Sequence, residues 1–354
     1  MSDATFKILG TLSTGLGNQS SINELTKKIA KTYGAAYYPG IYEKLHEMER
    51  DKIINLTKIG TSSIAQLNFE NYLLIDLLSE MELKRKQAFL KNRIELQLPF
   101  MKITTYCREL SLIKSICAIK PERNATLNRL EFLILLRSSK EENCLQNEIN
   151  KLRIITKSLQ NMHNIRIDYL TLFDDEFFDL LRSEEINPIK EMLSDKIAFL
   201  YPQEFWMEIK EAMEKGIQIK FEDKETNPAD IREHDLAYNL MRFGYTEIGT
   251  EIKQGQKICI EYIITSLLMQ EDIRRIEAIP IILAKNNANY NLLTFLSQKY
   301  GLSETLLGLL RALEKIKPNK NIEKTIDHLK NMGIKESKFD EKTIMEKMRL
   351  YNAI

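Results

Sequence analysis

Leu130-Glu131-Phe132-Leu133-Ile134-Leu135-Leu136 and Ile165-Arg166-Ile167-Asp168-Tyr169-Leu170-Thr171-Leu172 are the two runs whose reading decides the fold. Both are short, rich in Leu, Ile and aromatics, and bounded by polar turns, which is the pattern of buried strands. Between them Asn147 to Met162 repeats at helical spacing, with Ile149, Leu152, Ile155 and Leu159 on one face. Strand, helix and strand form a crossover unit, so the two strands are expected to share one sheet. Each strand carries a carboxylate, Glu131 on the first and Asp168 on the second. What these two acids can still do decides whether the protein is an enzyme.

On the N-terminal side, Phe6, Ile8, Leu9 and Leu12 give a first helix. Ser21 can cap a second, with Glu24 three residues on as its capping-box partner and Ile22, Leu25 and Ile29 inward. A third helix is expected from Tyr38, with Ile41, Leu45 and Met48 inward and Tyr37, Tyr42, Lys44, His46 and Arg50 outward. Ile53-Ile54-Asn55-Leu56 and Ile64-Ala65-Gln66-Leu67-Asn68, joined by a polar tip, read as a two-stranded ribbon. Three helices, a tight turn and a ribbon make a winged helix-turn-helix over residues 1–70. This order, and the phrase Ile22-Asn23-Glu24-Leu25-Thr26-Lys27-Lys28-Ile29-Ala30 with Ile41-Tyr42-Glu43-Lys44-Leu45-His46-Glu47-Met48-Glu49-Arg50, resembles winged-helix DNA-binding domains of archaeal and bacterial regulators. The resemblance implies that the third helix enters the major groove and the wing touches backbone. It makes Tyr37, Tyr38, Tyr42, Lys44 and Arg50 the groove candidates, and Lys58, Thr61 and Ser62 the wing candidates. Against that, residues 1–70 hold seven Lys and one Arg against seven acids, a net of only +1, and Glu43, Glu47 and Glu49 on the third helix oppose phosphate. Winged helices also serve as protein docking modules.

Residues 71–98 are expected to form one connecting or dimerisation helix, ended by Pro99. Leu73, Leu74, Leu77, Leu78 and Met81 make it too apolar to stand alone in solvent. It packs on the following domain or pairs with a second copy.

The middle part, 99–221, holds the run at 130–136, Arg166-Ile167-Asp168-Tyr169-Leu170-Thr171-Leu172, the acidic Asp174-Asp175-Glu176-Phe177-Phe178-Asp179-Leu180-Leu181, and Asn187-Pro188-Ile189-Lys190 leading to Ile197-Ala198-Phe199-Leu200. In this order they resemble the small nucleotidyltransferase fold of the polymerase-beta type. Active members grip a triphosphate with a Gly-Ser turn. They hold two Mg²⁺ ions with two acids two residues apart on one strand and a third acid on its neighbour. Here the Gly-Ser place falls near Cys117-Ala118-Ile119-Lys120, without a Gly. The first metal acid falls at Arg129, the second at Glu131, and the third, Asp168, is kept. A guanidinium at that point repels Mg²⁺ and is free to pair with Glu131 or Asp168 instead. The resemblance therefore implies a domain that has lost transfer activity. If it were active, Glu131 and Asp168 would be its catalytic residues. Lys114, Lys120, Arg123, Arg129 and Arg137 are read as lying near the old nucleotide site, where solvated surface charge is the plainer account of them.

From residue 222 onward the chain reads as an all-helical domain, 222–354, with helices at 231–243, 246–270, 272–284, 289–299, 303–316, 321–332 and 340–352. Ile217 to Phe221 is a brief strand candidate. Arg232, His234 and Asp235 suggest a nuclease, but one His without a partner motif is more often a helix-surface residue. The cadence from Arg274 to Ala284 and on to Leu313 is similar to archaeal proteins that join a winged helix to a nucleotidyltransferase-like domain, a likeness that supplies no activity.

Composition sets the remaining bounds. The 354 residues suffice for two or three domains, and Lys plus Arg at 51 against Asp plus Glu at 50 argues against a general polyanion coat. The four Cys and four His are scattered, which favours free thiols in a reducing cytosol over zinc. No apolar run nears the ~20 residues that cross a bilayer, and Met1-Ser2-Asp3-Ala4-Thr5 lacks the layout of a secretion signal. The expected fold class is α+β, mostly helical. The expected function is a cytoplasmic, double-stranded-DNA-binding, dimeric transcriptional regulator with an inactive core and no cofactor. The alternatives are an active Mg²⁺-dependent nucleotidyltransferase of toxin–antitoxin type, or a protein-interaction scaffold.

Overall fold

The computed structural model describes all residues except 139–141, 247–251 and 271, together with the side chains of all described residues except 142–146 and 273. The chain is α+β and mostly helical, and divides into two compact units: Met1–Arg182 with Ile189–Lys224, and Ser183–Pro188 with Glu225–Ile354.

The first unit begins with α1 (Asp3–Thr14), β1 (Ser20–Ser21), α2 (Ile22–Tyr33), α3 (Tyr38–Arg50), β2 (Ile54–Ile59) and β3 (Ser62–Leu67). The expected capping box starts α2: Ser21 Oγ accepts the Glu24 N–H at 3.3 Å, and the Glu24 carboxylate accepts the Ser21 N–H at 2.9 Å. The backbone and hydroxyl of Ser21 together hold the Glu24 carboxyl below its ordinary range. β2 and β3 are antiparallel around Gly60-Thr61, and β1 adds a third strand through Ser20 and Ala65 that sequence reading did not anticipate. Two residues are too few to show a period.

Next come α4 (Tyr72–Lys91) and α5 (Ile94–Cys107). The break between them falls at Asn92-Arg93, and Pro99, expected to end a helix, lies inside α5. Proline removes one hydrogen bond, here to the Glu95 carbonyl. Burial of Leu96, Phe100, Ile103 and Cys107 keeps the helix intact around it. Phe100–Tyr106 is thus helical throughout.

The remaining elements are β4 (Ile113–Ile119), α6 (Pro121–Thr126), β5 (Arg129–Leu136), α7 (Glu142–His163), β6 (Arg166–Phe173), α8 (Asp174–Arg182), α9 (Pro188–Ser194), β7 (Lys196–Leu200) and α10 (Pro202–Glu214). The four strands make one sheet in the order β6-β5-β4-β7. β5 and β6 run parallel, joined by α7, as the crossover reading required, whereas β4 is antiparallel to both β5 and β7. One face of the sheet is covered by α5 and α7. There Phe100 lies 5.9 Å from Phe132 and 4.9 Å from Phe199, ring centre to ring centre. The other face carries the alternate residues of each strand, Glu131, Leu133 and Leu135 on β5 and Asp168, Leu170 and Leu172 on β6, and is approached by α8 and α10. Ile217 to Phe221 buries alternate residues without joining a sheet. It is tied down instead by the Phe221 N–H donating to Leu16 O at 2.8 Å.

α4 packs on β7 and α10 within this unit. Glu82 on α4 is fully buried and pairs with Lys196, 2 % exposed, at the start of β7. The second Glu82 oxygen accepts the Ala198 N–H at 3.0 Å. The Lys196 ammonium also lies 4.3 Å from the Phe205 ring and 4.4 Å from the Trp206 ring.

The second unit opens with a 3-10 turn (Pro228–Asp230) and contains α11 (Glu233–Arg242), α12 (Ile260–Met269), α13 (Ile273–Ile276), α14 (Ala278–Lys285), α15 (Tyr290–Lys299), α16 (Ser303–Ile316), α17 (Lys320–Asn331) and α18 (Glu341–Leu350). The helix expected over 246–270 begins only at Ile260, with part of the remainder outside the described residues. The loop before it is held by side chains of α11: Asp235 accepts the Gln256 N–H at 2.9 Å, and Asn239 accepts the Ile258 N–H at 3.0 Å. Asp235 is thereby a structural residue. Burial opposes its charge, but the Gln256 N–H and the Arg232 guanidinium at 2.7 Å hold its carboxyl below the usual range. His234 stays on the surface, 3.7 Å from Asp235. No helix among the described residues is long and apolar enough to cross a membrane.

Candidate functional site

Two regions gather the residues singled out from the sequence. The first lies where β5 and β6 begin. Their parallel register sets Arg129 beside Arg166 and Glu131 beside Asp168, so all four side chains leave the same face of the sheet. Tight turns deliver both strands: Asn128 and Asn164 take left-handed backbone angles, φ 51° and 49°, and the Asn128 amide donates to the Asn164 carbonyl at 2.7 Å. The Arg129 guanidinium stands between the acids, 2.9 Å from Glu131 Oε1 and 2.8 Å from Asp168 Oδ2. Arg166 meets the same Asp168 oxygen at 2.9 Å from the solvent side. Glu131 and Asp168 are 2 % and 6 % exposed, so both carboxylates are nearly dry. Two buried acids close together stay charged only with cations beside them. Here the Arg129 and Arg166 guanidiniums fill that place.

The turn after β4 has its own geometry. Lys120 holds φ 44°, its N–H donates to Asp195 O at 2.8 Å, and Pro121 starts α6 directly behind it. Asn124 closes the turn by donating its side-chain amide to Ile119 O at 2.7 Å. The turn is therefore filled by its own side chains. Arg123 is exposed on α6.

Lys114 and Arg137, expected beside this site, lie at the opposite end of the sheet. β4 and β5 are antiparallel, so Ile119 pairs with Glu131 while Ile113 pairs with Leu136. Lys114 bonds Asp174 at 2.8 Å and Glu208 at 2.6 Å, and Arg137 reaches Glu204 at 3.5 Å. Burial pushes the Glu208 carboxyl above its ordinary range. Burial likewise raises the Cys107 and Cys117 thiols to about 12, so neither is a thiolate at neutral pH. Cys259 is buried as well, and the side chain of Cys144 lies outside the described residues.

The second region is the outward face of α3 with the β2–β3 tip. Tyr37, Tyr38 and Tyr42 are 76 %, 44 % and 42 % exposed. Tyr38 and Tyr42 stack with ring centres 6.1 Å apart, and His46 meets Tyr42 edge-on at 4.5 Å. The spacing 38, 42, 46 forms one row on the helix, which makes His46 part of this surface; the i, i+4 repeat was there to be read. Lys44 bonds Glu47 at 2.6 Å and His46 Nδ1 is 3.1 Å from Glu49, so two of the three acids on α3 are matched locally. Arg50 is exposed at the end of the helix, and Lys58, Thr61 and Ser62 are exposed around the hairpin tip.

Comparison of the chain with family models, with curated proteins and with solved structures finds no match. The residues and their geometry therefore carry the functional reading alone.

Proposed function

We propose that this protein is a DNA-binding, dimeric transcriptional regulator, built from a winged helix-turn-helix, a nucleotidyltransferase-like core without transfer activity, and a C-terminal helical bundle. The observation that carries the DNA-binding part is the uncovered aromatic row of α3 beside a hairpin tip that presents Lys58, Thr61 and Ser62. A helix with an apolar inner face, exposed Tyr and Arg and a half-buried Lys can lie in a major groove while the hairpin touches phosphate. In this reading Tyr37, Tyr38 and Tyr42 contact base edges and sugars, and Lys44, Arg50 and Lys58 contact backbone.

The core supports the silent part of the reading. Two Mg²⁺ ions need three acids with free oxygens and a turn small enough to admit a triphosphate. The chain offers Arg129 in place of the first acid, bonded to both remaining ones, and a Lys120-Pro121 turn closed by Asn124. These residues do not fit the metal pair. A protein docking role is the second reading, favoured by Glu43, Glu47 and Glu49 of α3, which outnumber Lys44 and Arg50 and oppose phosphate.

The test is fluorescence anisotropy of the full chain with a mixed-sequence duplex across a salt series. Binding is expected at low salt and falls steadily as salt rises. Lys58→Ala lowers the log–log slope by about 1, and Tyr42→Ala weakens binding by about 1–3 kcal/mol. Absence of binding even at low salt removes the DNA reading and leaves the docking role.

A further inference from the structure

We infer that the uncovered face of α5 is the contact between two copies of this chain, packed as an antiparallel helix pair about a two-fold axis near Leu98. The inference rests on the dimeric part of the regulator reading and gives it a surface.

Helix α5 is apolar on two sides. Leu96, Phe100, Ile103 and Cys107 are buried against the sheet. The opposite side presents Ile94, Leu98 and Met101, which are 76 %, 42 % and 59 % exposed. These three follow i, i+4, i+7 spacing and form one continuous stripe. Met162 at the end of α7, 51 % exposed, extends it, with Lys102 Nζ 3.6 Å from the Met162 sulfur. A helix that is apolar on two opposite sides and covered on one of them only is what an interface leaves when it is opened.

The charges at the edge of the stripe select the occupant. Glu95 and Lys102 lie on the same edge, seven residues and roughly 10 Å apart, too far to pair within one chain. In an antiparallel pair about a two-fold axis, edge residues on the same side face each other across the axis. With Leu98 at the centre, Glu95 of each copy comes opposite Lys102 of the other, which closes two symmetric ion pairs around the apolar stripe. A parallel pairing instead carries the Glu95–Lys102 edges of the two copies to opposite sides of the contact, where they close no ion pair. The helix is thus complementary to a second copy of itself in one orientation.

Sedimentation velocity on the full chain over a micromolar concentration series tests this. Wild type is expected to reach a species of twice the 41.3 kDa chain mass. Met101→Glu, an exposed change that leaves the core untouched, is expected to stay monomeric with an unchanged circular dichroism spectrum. Glu95→Lys and Lys102→Glu each raise the dissociation constant by about tenfold, and the double reversal restores it to within about threefold of wild type. Three results overturn the proposal: a wild type that is monomeric throughout, a dimer indifferent to Met101→Glu, or a double reversal as weak as the single changes. DNA anisotropy of the monomeric Met101→Glu variant keeps the two questions apart. If it binds no worse per chain at low salt, DNA binding stands on its own.

Discussion

Arg129→Ala is expected to destabilise the first unit by about 3–5 kcal/mol, the cost of opening a buried ion pair by removing one partner. Loss of the guanidinium leaves two nearly dry carboxylates, Glu131 and Asp168, side by side, with the half-exposed Arg166 still bonded to Asp168. For a unit of this size, each kcal/mol lowers Tm by about 2–4 °C, so the fall is roughly 6–20 °C. Removing all three charges as Arg129→Met, Glu131→Leu and Asp168→Leu recovers most of that loss, because apolar groups of similar volume replace buried ions at little net cost. Thermal melts of the single and triple variants check both statements. A single variant as stable as wild type means that the cluster is not the buried unit described. A cluster kept for chemistry rather than structure does not predict recovery in the triple variant.

The second large effect is expected at the joint between α4 and the sheet. Lys196→Met takes from Glu82, which has no exposed surface, its close cation and leaves Arg85 at 4.0 Å, and lowers stability by about 3–5 kcal/mol. Glu82→Leu is expected to cost a similar amount, since it strands the ammonium and also leaves the Ala198 N–H without its acceptor. The two changes together cost less than their sum, with a coupling energy of about 1–3 kcal/mol in a double-mutant cycle followed by urea denaturation. Additivity within about 0.5 kcal/mol contradicts the pairing. The pair matters beyond stability because α4 follows directly on the N-terminal helices and hairpin. A rigid α4 makes those elements part of one body with the core.

The parts of the fold that could be read from the sequence were those written locally. The Leu-rich runs around Phe132 and Leu170, separated by a helical period, specify a parallel crossover because few other arrangements bury both. The Ser21–Glu24 box fixes the start of α2 by itself. Three features escaped because their causes lie far away in the chain. Pro99 signals a stop, yet α5 continues because Phe100 is clamped between Phe132 and Phe199. The segment before Ile260 has no helix over 252–258, because Asp235 and Asn239 claim its backbone N–H groups from about twenty residues upstream. Lys114 and Arg137 were assigned to the wrong end of the sheet because strand direction is not written in either run.

The candidate site was read unevenly for the same reason. That Arg129 meets Glu131 and Asp168 follows from spacing along one strand together with a neighbour in parallel register. Arg166 was missed as a fourth member, although it stands two residues before Asp168 just as Arg129 stands two before Glu131. On α3 the Tyr38, Tyr42, His46 row follows from the helical repeat, but the pairing of Lys44 with Glu47 and of His46 with Glu49 became clear only with side chains in place.

On the function proposed above, the Arg129 guanidinium fills the space between Glu131 and Asp168 that a nucleotidyltransferase gives to metal. The most direct measurement is a crystal structure of the full chain soaked with a non-hydrolysable nucleoside triphosphate and excess Mg²⁺. The account predicts the guanidinium still bridging both carboxylates, at the 2.9 Å and 2.8 Å separations found here. Two Mg²⁺ ions held between Glu131 and Asp168, with a triphosphate along the Lys120 turn and Arg129 swung aside, would contradict it.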